Sequence, residues 1–176
     1  ADGIKLTVVG KAAHGMEPEK GINAGTYLAT FLKQFDIRGH AGDFIDFLAS
    51  YLHLDTRVNH FNAAFATDKM GEMTMNAGIL KFDQQAGGHI DMNFRYPEGI
   101  TADEILNRIK PVAADHNFAI SRAEGEVPHY VDADDPIVTT LLKAYVAQTG
   151  DQTAQAEVVG GGTYGRLMSR GVAFGA

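Results

Sequence analysis

Residues 71–96 read GEMTMNAGILKFDQQAGGHIDMNFRY, and this stretch decides the fold. Two strand-like runs, 71–82 and 88–96, are separated by the five residues 83–87, which predicts an antiparallel hairpin. Apolar and polar residues alternate along the second run. Its apolar side carries Ile90, Met92, Phe94 and Tyr96, and its polar side carries His89, Asp91, Asn93 and Arg95. We therefore expect one face of the hairpin in the core and the other to form a polar surface.

Helical periods lie on both sides of the hairpin. Before it, Asn23 is the predicted N-cap of one helix, and residues 43–54 form a second. The apolar stripe of the first helix is Ala24, Leu28, Phe31, Leu32 and Phe35. After the hairpin, Thr101 and Glu104 have the spacing of a capping box, and Pro111 is expected to interrupt or bend the helix that follows.

The outer parts of the chain add three strands and one helix to the prediction. Residues 3–10 alternate as a half-buried strand, the neighbourhood of Phe118 is typical of another, and 156–159 of a short third. Residues 135–150 predict a helix, with a proline in its first turn and a glycine at its end.

This order of elements predicts an α+β fold, a mainly antiparallel sheet covered by helices. The acidic loop at 132–135 is the predicted domain boundary. It separates residues 1–133 from a short C-terminal helix–strand piece, residues 134–176.

Composition excludes several classes of function. The formal net charge is −7 and no basic patch is present, so nucleic acid is not an expected partner. Because the 176 residues include no cysteine, a disulfide framework and a cysteine nucleophile are ruled out. No apolar run reaches the length of a membrane span, and we expect a soluble, cytoplasmic protein. The missing initiator Met and the apolar run 171–176 lead us to expect a piece cut from a longer sequence.

His14 is the first candidate for chemistry. It lies in Ala12-Ala13-His14-Gly15, a glycine-flanked loop after a predicted strand, where an imidazole can reach a ligand and donate a proton near neutral pH. A surface histidine without a role explains the same pattern, and spacing does not decide between the two.

Arg95 is the second candidate. An arginine on the polar face of a strand is suited to bidentate capture of a carboxylate. An ion pair with Asp91, four residues earlier on the same face, is the alternative.

The third candidate is the turn 160–166. Its glycines formally match the dinucleotide fingerprint, but too few residues follow for a complete unit. Backbone groups of such a turn can approach a ligand closely, with Thr163 and Arg166 as polar neighbours. The remaining histidines lack ligand spacing, so we expect no metal site within this chain.

Three motifs in the same order resemble those of one family. They are the loop Gly10–Gly15 with Pro18, Gly21 and Asn23 behind it, the strand Asp91–Pro97, and the turn Gly160–Arg166. The chain resembles the zinc aminopeptidase and dipeptidase family that includes carboxypeptidase G-type enzymes and carnosinases, and within it most closely the Xaa-His dipeptidases.

The resemblance implies an enzyme with a catalytic domain that holds two zinc ions and an inserted lid or dimerisation domain. Residues 1–133 would be the lid, and residues 134–176 the start of the return into the catalytic domain. His14 would stabilise the oxyanion, and Arg95 would bind the C-terminal carboxylate of a dipeptide substrate. The residues implied to help bind the peptide are Gly161, Gly162, Thr163 and Arg166.

The chain also departs from the family pattern. The H-x-D metal motif, the bridging aspartate and the Glu-Glu pair have no counterpart, so the isolated chain is expected to lack zinc and to be inactive. A non-catalytic binding or oligomerisation module is the alternative function, and exposed apolar residues in 156–176 would favour self-association. A nucleotide-binding domain that uses the glycine turn is a third interpretation.

Overall fold

A computed structural model describes residues 3–175. The chain divides into two compact units, residues 1–126 and 127–176. In chain order the elements of the first unit are α1 (Ala24–Leu32), α2 (His40–Phe47), β1 (Ala66–Thr67), β2 (Gly71–Glu72), β3 (Thr74–Asp83), β4 (Gly87–Arg95) and α3 (Ala102–Asp115). The second unit contains α4 (Pro136–Thr149). The predicted α+β class is confirmed.

The predicted hairpin is formed by β3 and β4. Their antiparallel ladder runs from Thr74 opposite Arg95 to Asp83 opposite Gly87, with a β-bulge at Gly78. Because Asp83 and Gly87 pair with each other, the connecting loop has three residues instead of the predicted five. Gly87 has φ 85°, a left-handed conformation that favours glycine and closes three-residue hairpin loops. A separate, two-residue ladder joins β1 to β2.

The hydrophobic core lies against one face of this hairpin. The alternation predicted for β4 is confirmed, since its apolar residues pack against the core while its polar residues are exposed. The buried core residues come mainly from α2, the turn after it, β3 and α3, and they include Phe44, Phe47, Leu48, Leu52, Met73, Met75, Ile105 and Ile109. The opposite, polar face of β3 and β4 therefore does not pack against this core.

Helix α1 is attached to the hairpin through its N-cap. As predicted, Asn23 caps the helix, and its Oδ1 accepts the backbone N–H groups of Gly25 at 3.2 Å and Thr26 at 3.4 Å. Its Nδ2 donates to the carbonyl oxygen of Ala77 at 2.9 Å. One side chain thus starts the helix and ties it to β3.

The predicted apolar stripe of α1 is only partly buried, since Ala24, Leu28 and Leu32 are half-buried. Thr26 and Ala29 are buried, whereas Phe31 and Phe35 are 45% and 55% exposed. Asn23 and the close approach of Gly25 to the hairpin fix the rotation of the helix, so the small residues face inward. The two phenylalanine rings instead pack against each other at the surface, with centroids 5.4 Å apart.

The boundaries of α2 and α3 differ from the predictions. Helix α2 begins at His40 rather than residue 43 and ends at Phe47, where a π-helical turn continues to Leu52. The capping box of Thr101 and Glu104 is confirmed, but α3 continues through Pro111 without interruption. Pro111 is exposed, so the carbonyl that loses its helical partner there can bond to water.

The three outer strands predicted at 3–10, near Phe118 and at 156–159 do not form. A strand needs a neighbour for its backbone groups, and none of these segments lies in a ladder. Phe118 instead completes the end of α3. Its N–H donates to the carbonyl of Ala113 at 2.8 Å, after Asn117 with φ 59°, as in a Schellman motif.

Helix α4 follows its prediction closely. Asp135 caps it, since Oδ1 accepts the N–H of Ile137 at 2.9 Å, and Gly150, with φ 75°, ends it. The same Asp135 carboxylate pairs with the guanidinium of Arg170, which lowers the pKa of Asp135 below its ordinary value. Within residues 3–175, no helix is both long enough and apolar enough to cross a membrane.

Asp55 organises the irregular segment between α2 and β1. Its side chain is 1% exposed. Oδ1 accepts the backbone N–H groups of Arg57 and Asn59, both at 3.1 Å, and Oδ2 accepts that of His60 at 2.7 Å. Burial alone would raise the pKa of Asp55, but these hydrogen bonds to the charged form hold it below the ordinary value.

We predict that Asp55→Asn lowers the free energy of unfolding at pH 7 by on the order of 3 kcal/mol, because buried N–H donors lose an acceptor. Since the folded-state pKa of Asp55 is depressed, its contribution is complete above about pH 4 and is lost as the pH falls through the folded pKa. Urea unfolding between pH 2 and 7 should therefore show a steeper acid loss in the wild type than in the variant.

The matched control is Asp36→Asn, which removes an exposed carboxylate paired with Arg38. It should leave the unfolding free energy nearly unchanged, because an exposed ion pair contributes little. Equal effects of the two substitutions would contradict the structural role of Asp55.

Candidate functional site

The loop that carries His14 is closed at its base by two backbone hydrogen bonds. The N–H of Lys11 donates to the carbonyl of Ile22 at 3.0 Å, and the N–H of Ile22 donates to that of Lys11 at 2.9 Å. Gly21 permits this approach, because a Cβ there would lie 2.9 Å from the Lys11 carbonyl oxygen. The glycine at this position, part of the motif seen in the sequence, thus has a steric reason.

Within the loop, the backbone fixes the chemistry of the His14 imidazole. The N–H of Met16 donates to Nδ1 of His14 at 3.2 Å. A ring nitrogen that accepts a hydrogen bond carries no proton, so the neutral imidazole has its proton on Nε2. The side chain is exposed, and Nε2–H has no hydrogen-bond partner among residues 3–175. The structure therefore presents His14 as an outward hydrogen-bond donor.

The same loop is attached to the polar face of the hairpin. The Thr74 hydroxyl, at the start of β3, donates to the carbonyl oxygen of Gly15 at 2.9 Å. Asn93 of β4 is also adjacent, since a Cβ on Gly15 would lie 3.7 Å from its Oδ1. Thr74 is only 5% exposed, although it lies on the polar face. The loop thus covers the end of the hairpin.

Arg95 lies at this same end. It is the last residue of β4 and the direct register partner of Thr74. The side chain is exposed, and across the described part of the chain it has no ion pair, so the predicted alternative of a pair with Asp91 is wrong. Asp91 instead adds to the raised pKa of Arg122, whose main cause is the hydrogen bond from Arg122 to Glu124. The Arg95 guanidinium remains available for an anion.

Thr74 therefore connects the two candidates. It bonds to Gly15, the neighbour of His14, and it faces Arg95 across the ladder. The loop that carries the His14 imidazole and the strand residue that carries the Arg95 guanidinium thus lie at the same end of the hairpin. An imidazole N–H is a suitable donor to a developing oxyanion, and a guanidinium is a suitable partner for a carboxylate.

The predicted glycine turn lies in the second unit and forms one 3₁₀ turn, Tyr164–Leu167. A Cβ on Gly162 would lie 2.7 Å from a guanidinium nitrogen of Arg166, so a larger residue there would displace only the end of that flexible side chain. Gly161 is open to solvent, and Thr163 precedes the turn without capping it by its side chain. Because no α-helix follows in residues 168–175, the turn lacks the helix of a dinucleotide site.

Other parts of the described chain do not extend the site. Within residues 3–175, no three His, Asp or Glu side chains form a set of metal ligands, so these residues do not themselves fit the zinc pair that the resemblance implies. A shallow cleft of about 260 Å³ contains none of the candidates. It is lined by Arg57, Asn59, Ala64, Phe65, Ala66, Glu72 and Met73. Glu19 and Glu72 already pair with the Arg57 guanidinium.

Sequence reasoning missed Thr74 and Asn93 as parts of the site. The two-residue period already places both on the polar face with Arg95. The position of the His14 loop over that end of the hairpin is a tertiary contact, and no local pattern indicates it.

Comparison with known proteins extends this result. The M20 peptidase dimerisation domain family matches residues 1–120. A Staphylococcus saprophyticus protein named "Putative dipeptidase" is 43% identical over 173 residues, which cover 98% of this chain and 37% of that protein. Proteins of the same name from Staphylococcus epidermidis and Staphylococcus haemolyticus are each 40% identical and are covered over 36% and 37% of their length.

This chain thus spans little more than a third of the length of these relatives, while nearly all of it is matched. The family match extends over the loop of His14, the hairpin with Arg95 and α3. With that match over more than half of its residues, the chain belongs to the M20 peptidase dimerisation domain family.

Proposed function

We propose that this chain is a substrate-binding part of a longer, cytoplasmic metallo-dipeptidase. Residues 1–133 would form its lid domain, and residues 134–176 would begin the segment that returns into the catalytic domain. The observation that carries the proposal is the attachment of the His14 loop to the strand end that bears Arg95, through Thr74. The dipeptidase names of the longer relatives support it.

His14 is the proposed oxyanion donor. Peptide hydrolysis passes through a tetrahedral intermediate whose oxygen gains negative charge. The Nε2–H of His14 is exposed and fixed in tautomer by the Met16 N–H, so it can donate to that oxygen without first reorganising. A preorganised donor of this kind contributes roughly 3–4 kcal/mol to the stability of the transition state.

Arg95 is the proposed anchor for the C-terminal carboxylate of the substrate. An unpaired guanidinium can bind both carboxylate oxygens, which fixes the orientation of the peptide as well as its position. Since the carboxylate must lie a fixed distance from the scissile bond, binding it restricts the substrate to short peptides. The Xaa-His dipeptidases are the branch of the family that we propose as nearest.

The glycine turn is proposed to contact the peptide backbone. Among the described residues, Gly161 has no side chain close to it, and at Gly162 the nearest side chain is that of Arg166. Both backbones can therefore approach a peptide, where Thr163 and Arg166 add polar groups. The two zinc ions implied by the resemblance would be bound by residues outside this chain.

We predict that His14→Ala in the full-length protein lowers kcat about 10²- to 10³-fold and changes KM little, because the lost contact forms only in the transition state. Steady-state hydrolysis of a dipeptide is the measurement. His40→Ala, which removes an exposed histidine at the start of α2, is the matched control and should retain wild-type kcat. Wild-type kcat in His14→Ala would disprove the role.

For Arg95, we expect Arg95→Ala to lower kcat/KM for a dipeptide about 100-fold and to leave kcat/KM for the corresponding C-terminal amide nearly unchanged. The amide lacks the carboxylate that Arg95 would bind. Arg38→Ala, which removes an exposed guanidinium paired with Asp36, should preserve the preference for the free acid. An equal loss on both substrates would show that Arg95 does not recognise the carboxylate.

A second candidate function is self-association. The family description and the exposed aromatic rings of α1 and of the turn after it favour it, since Tyr27, Phe31 and Phe35 are each 43% to 55% exposed. A second copy of the chain would cover these rings.

Sedimentation equilibrium tests this candidate. If α1 forms the contact, the wild-type chain has twice its 18.9 kDa mass and Phe31→Gln dissociates it. The control is Val127→Gln, at a 91% exposed valine of the second unit, which should leave the mass unchanged. A monomeric wild type, or dissociation by both variants, would contradict a specific contact through α1.

A further inference from the structure

We propose that Thr74 is a positioning residue for His14, acting through the peptide group between Gly15 and Met16; this inference rests on the oxyanion role proposed for His14. Thr74 does not contact substrate in this proposal. Its hydroxyl orients a backbone unit, and that unit selects the tautomer of the imidazole.

Two hydrogen bonds meet at one peptide group. The carbonyl oxygen of Gly15 accepts the Thr74 hydroxyl at 2.9 Å, and the N–H of Met16 donates to Nδ1 of His14 at 3.2 Å. These two backbone atoms belong to the same planar peptide unit, in which C=O and N–H point in opposite directions. Fixing the carbonyl on Thr74 therefore aims the N–H at the imidazole.

The tautomer follows from this arrangement. While the Met16 N–H points at Nδ1, the neutral ring must carry its proton on Nε2. If the peptide group rotates away, Nδ1 loses its donor and the ring can place its proton there instead. Nε2 then becomes an acceptor, which repels a developing oxyanion rather than stabilising it.

Burial of Thr74 protects its hydrogen bond to the Gly15 carbonyl from competition by water. The residue is 5% exposed, so water has little access to compete for the hydroxyl. A polarised hydroxyl–peptide–imidazole chain is also cooperative, because each bond strengthens the next. Thr74 is also the register partner of Arg95. The residue that orients the His14 donor therefore lies directly opposite the proposed carboxylate anchor in the β3–β4 ladder.

The kinetic experiment uses the full-length protein with Thr74→Val and Thr74→Ser, each in wild-type and His14→Ala backgrounds. Thr74→Val keeps the shape and removes the hydroxyl, and we expect kcat to fall about 10-fold with KM within about twofold, as the loss of one buried hydrogen bond implies. Thr74→Ser should restore most of kcat. In the His14→Ala background, Thr74→Val should have almost no further effect, because the two residues act in series.

The second readout is the tautomer itself, measured by the ¹⁵N shifts of the His14 ring in the 176-residue chain. We expect the Nε2–H form to predominate in wild type and in Thr74→Ser, and the Nδ1–H form to increase in Thr74→Val. Thr30→Val is the matched control, because the Thr30 hydroxyl also donates to a backbone carbonyl, that of Thr26, at 3.0 Å. It should change neither kcat nor the tautomer.

The outcomes separate this inference from the proposed function. Loss of activity in His14→Ala with wild-type kcat and tautomer in Thr74→Val overturns the role of Thr74 and leaves that of His14. Wild-type activity in His14→Ala disproves the catalytic role, and with it the proposal that Thr74 positions a catalytic donor. If Thr74→Val changes KM alone, the inference is also overturned, since the substitution would then act through Arg95.

If Thr74→Val does not fold, Thr74→Cys replaces it, because a thiol is a weaker donor than a hydroxyl. Thr74→Cys must then increase the Nδ1–H form of His14, or the inference fails.

Discussion

The antiparallel pairing of β3 with β4 is the interaction on which the rest of the first unit depends. Its ladder places apolar side chains on one face and polar ones on the other. The apolar face packs against the core, to which α2 and α3 also contribute buried side chains. The polar face does not pack against the core. It carries Arg95, and Thr74 on the same face bonds to the loop of His14. One set of backbone hydrogen bonds therefore supports the core and the candidate site together.

The candidate site combines a rigid strand with a loop that is fixed at several points. Strands hold side chains at precise positions, whereas a loop gains precision only from its own contacts. Three sets of hydrogen bonds supply those contacts. They are the backbone pair between Lys11 and Ile22, the bond from the Thr74 hydroxyl and the bond from the Met16 N–H. An exposed histidine can thereby have a defined orientation without being buried.

Much of the fold could be predicted where local and tertiary forces agree. The hairpin, the N-cap Asn23, the capping box at Thr101 and the helix over residues 135–150 were all predicted, since each depends on residues close in sequence. The prediction was wrong where a partner was required. Residues 3–10 alternate correctly, yet no described strand pairs with them, and Phe118 completes the end of a helix instead.

The sequence by itself determined the two-faced hairpin, the helix boundaries set by caps, and His14, Arg95 and the glycine turn as candidates, because period, capping chemistry and motif order are local properties. Only the tertiary structure decided that α1 buries its small residues and exposes Phe31, that Arg95 does not pair with Asp91, and that Thr74 joins the His14 loop to the strand of Arg95. The bond from Thr74 to Gly15 spans 59 residues. No local pattern encodes a contact of that length, since it depends on how the loop and the hairpin pack together.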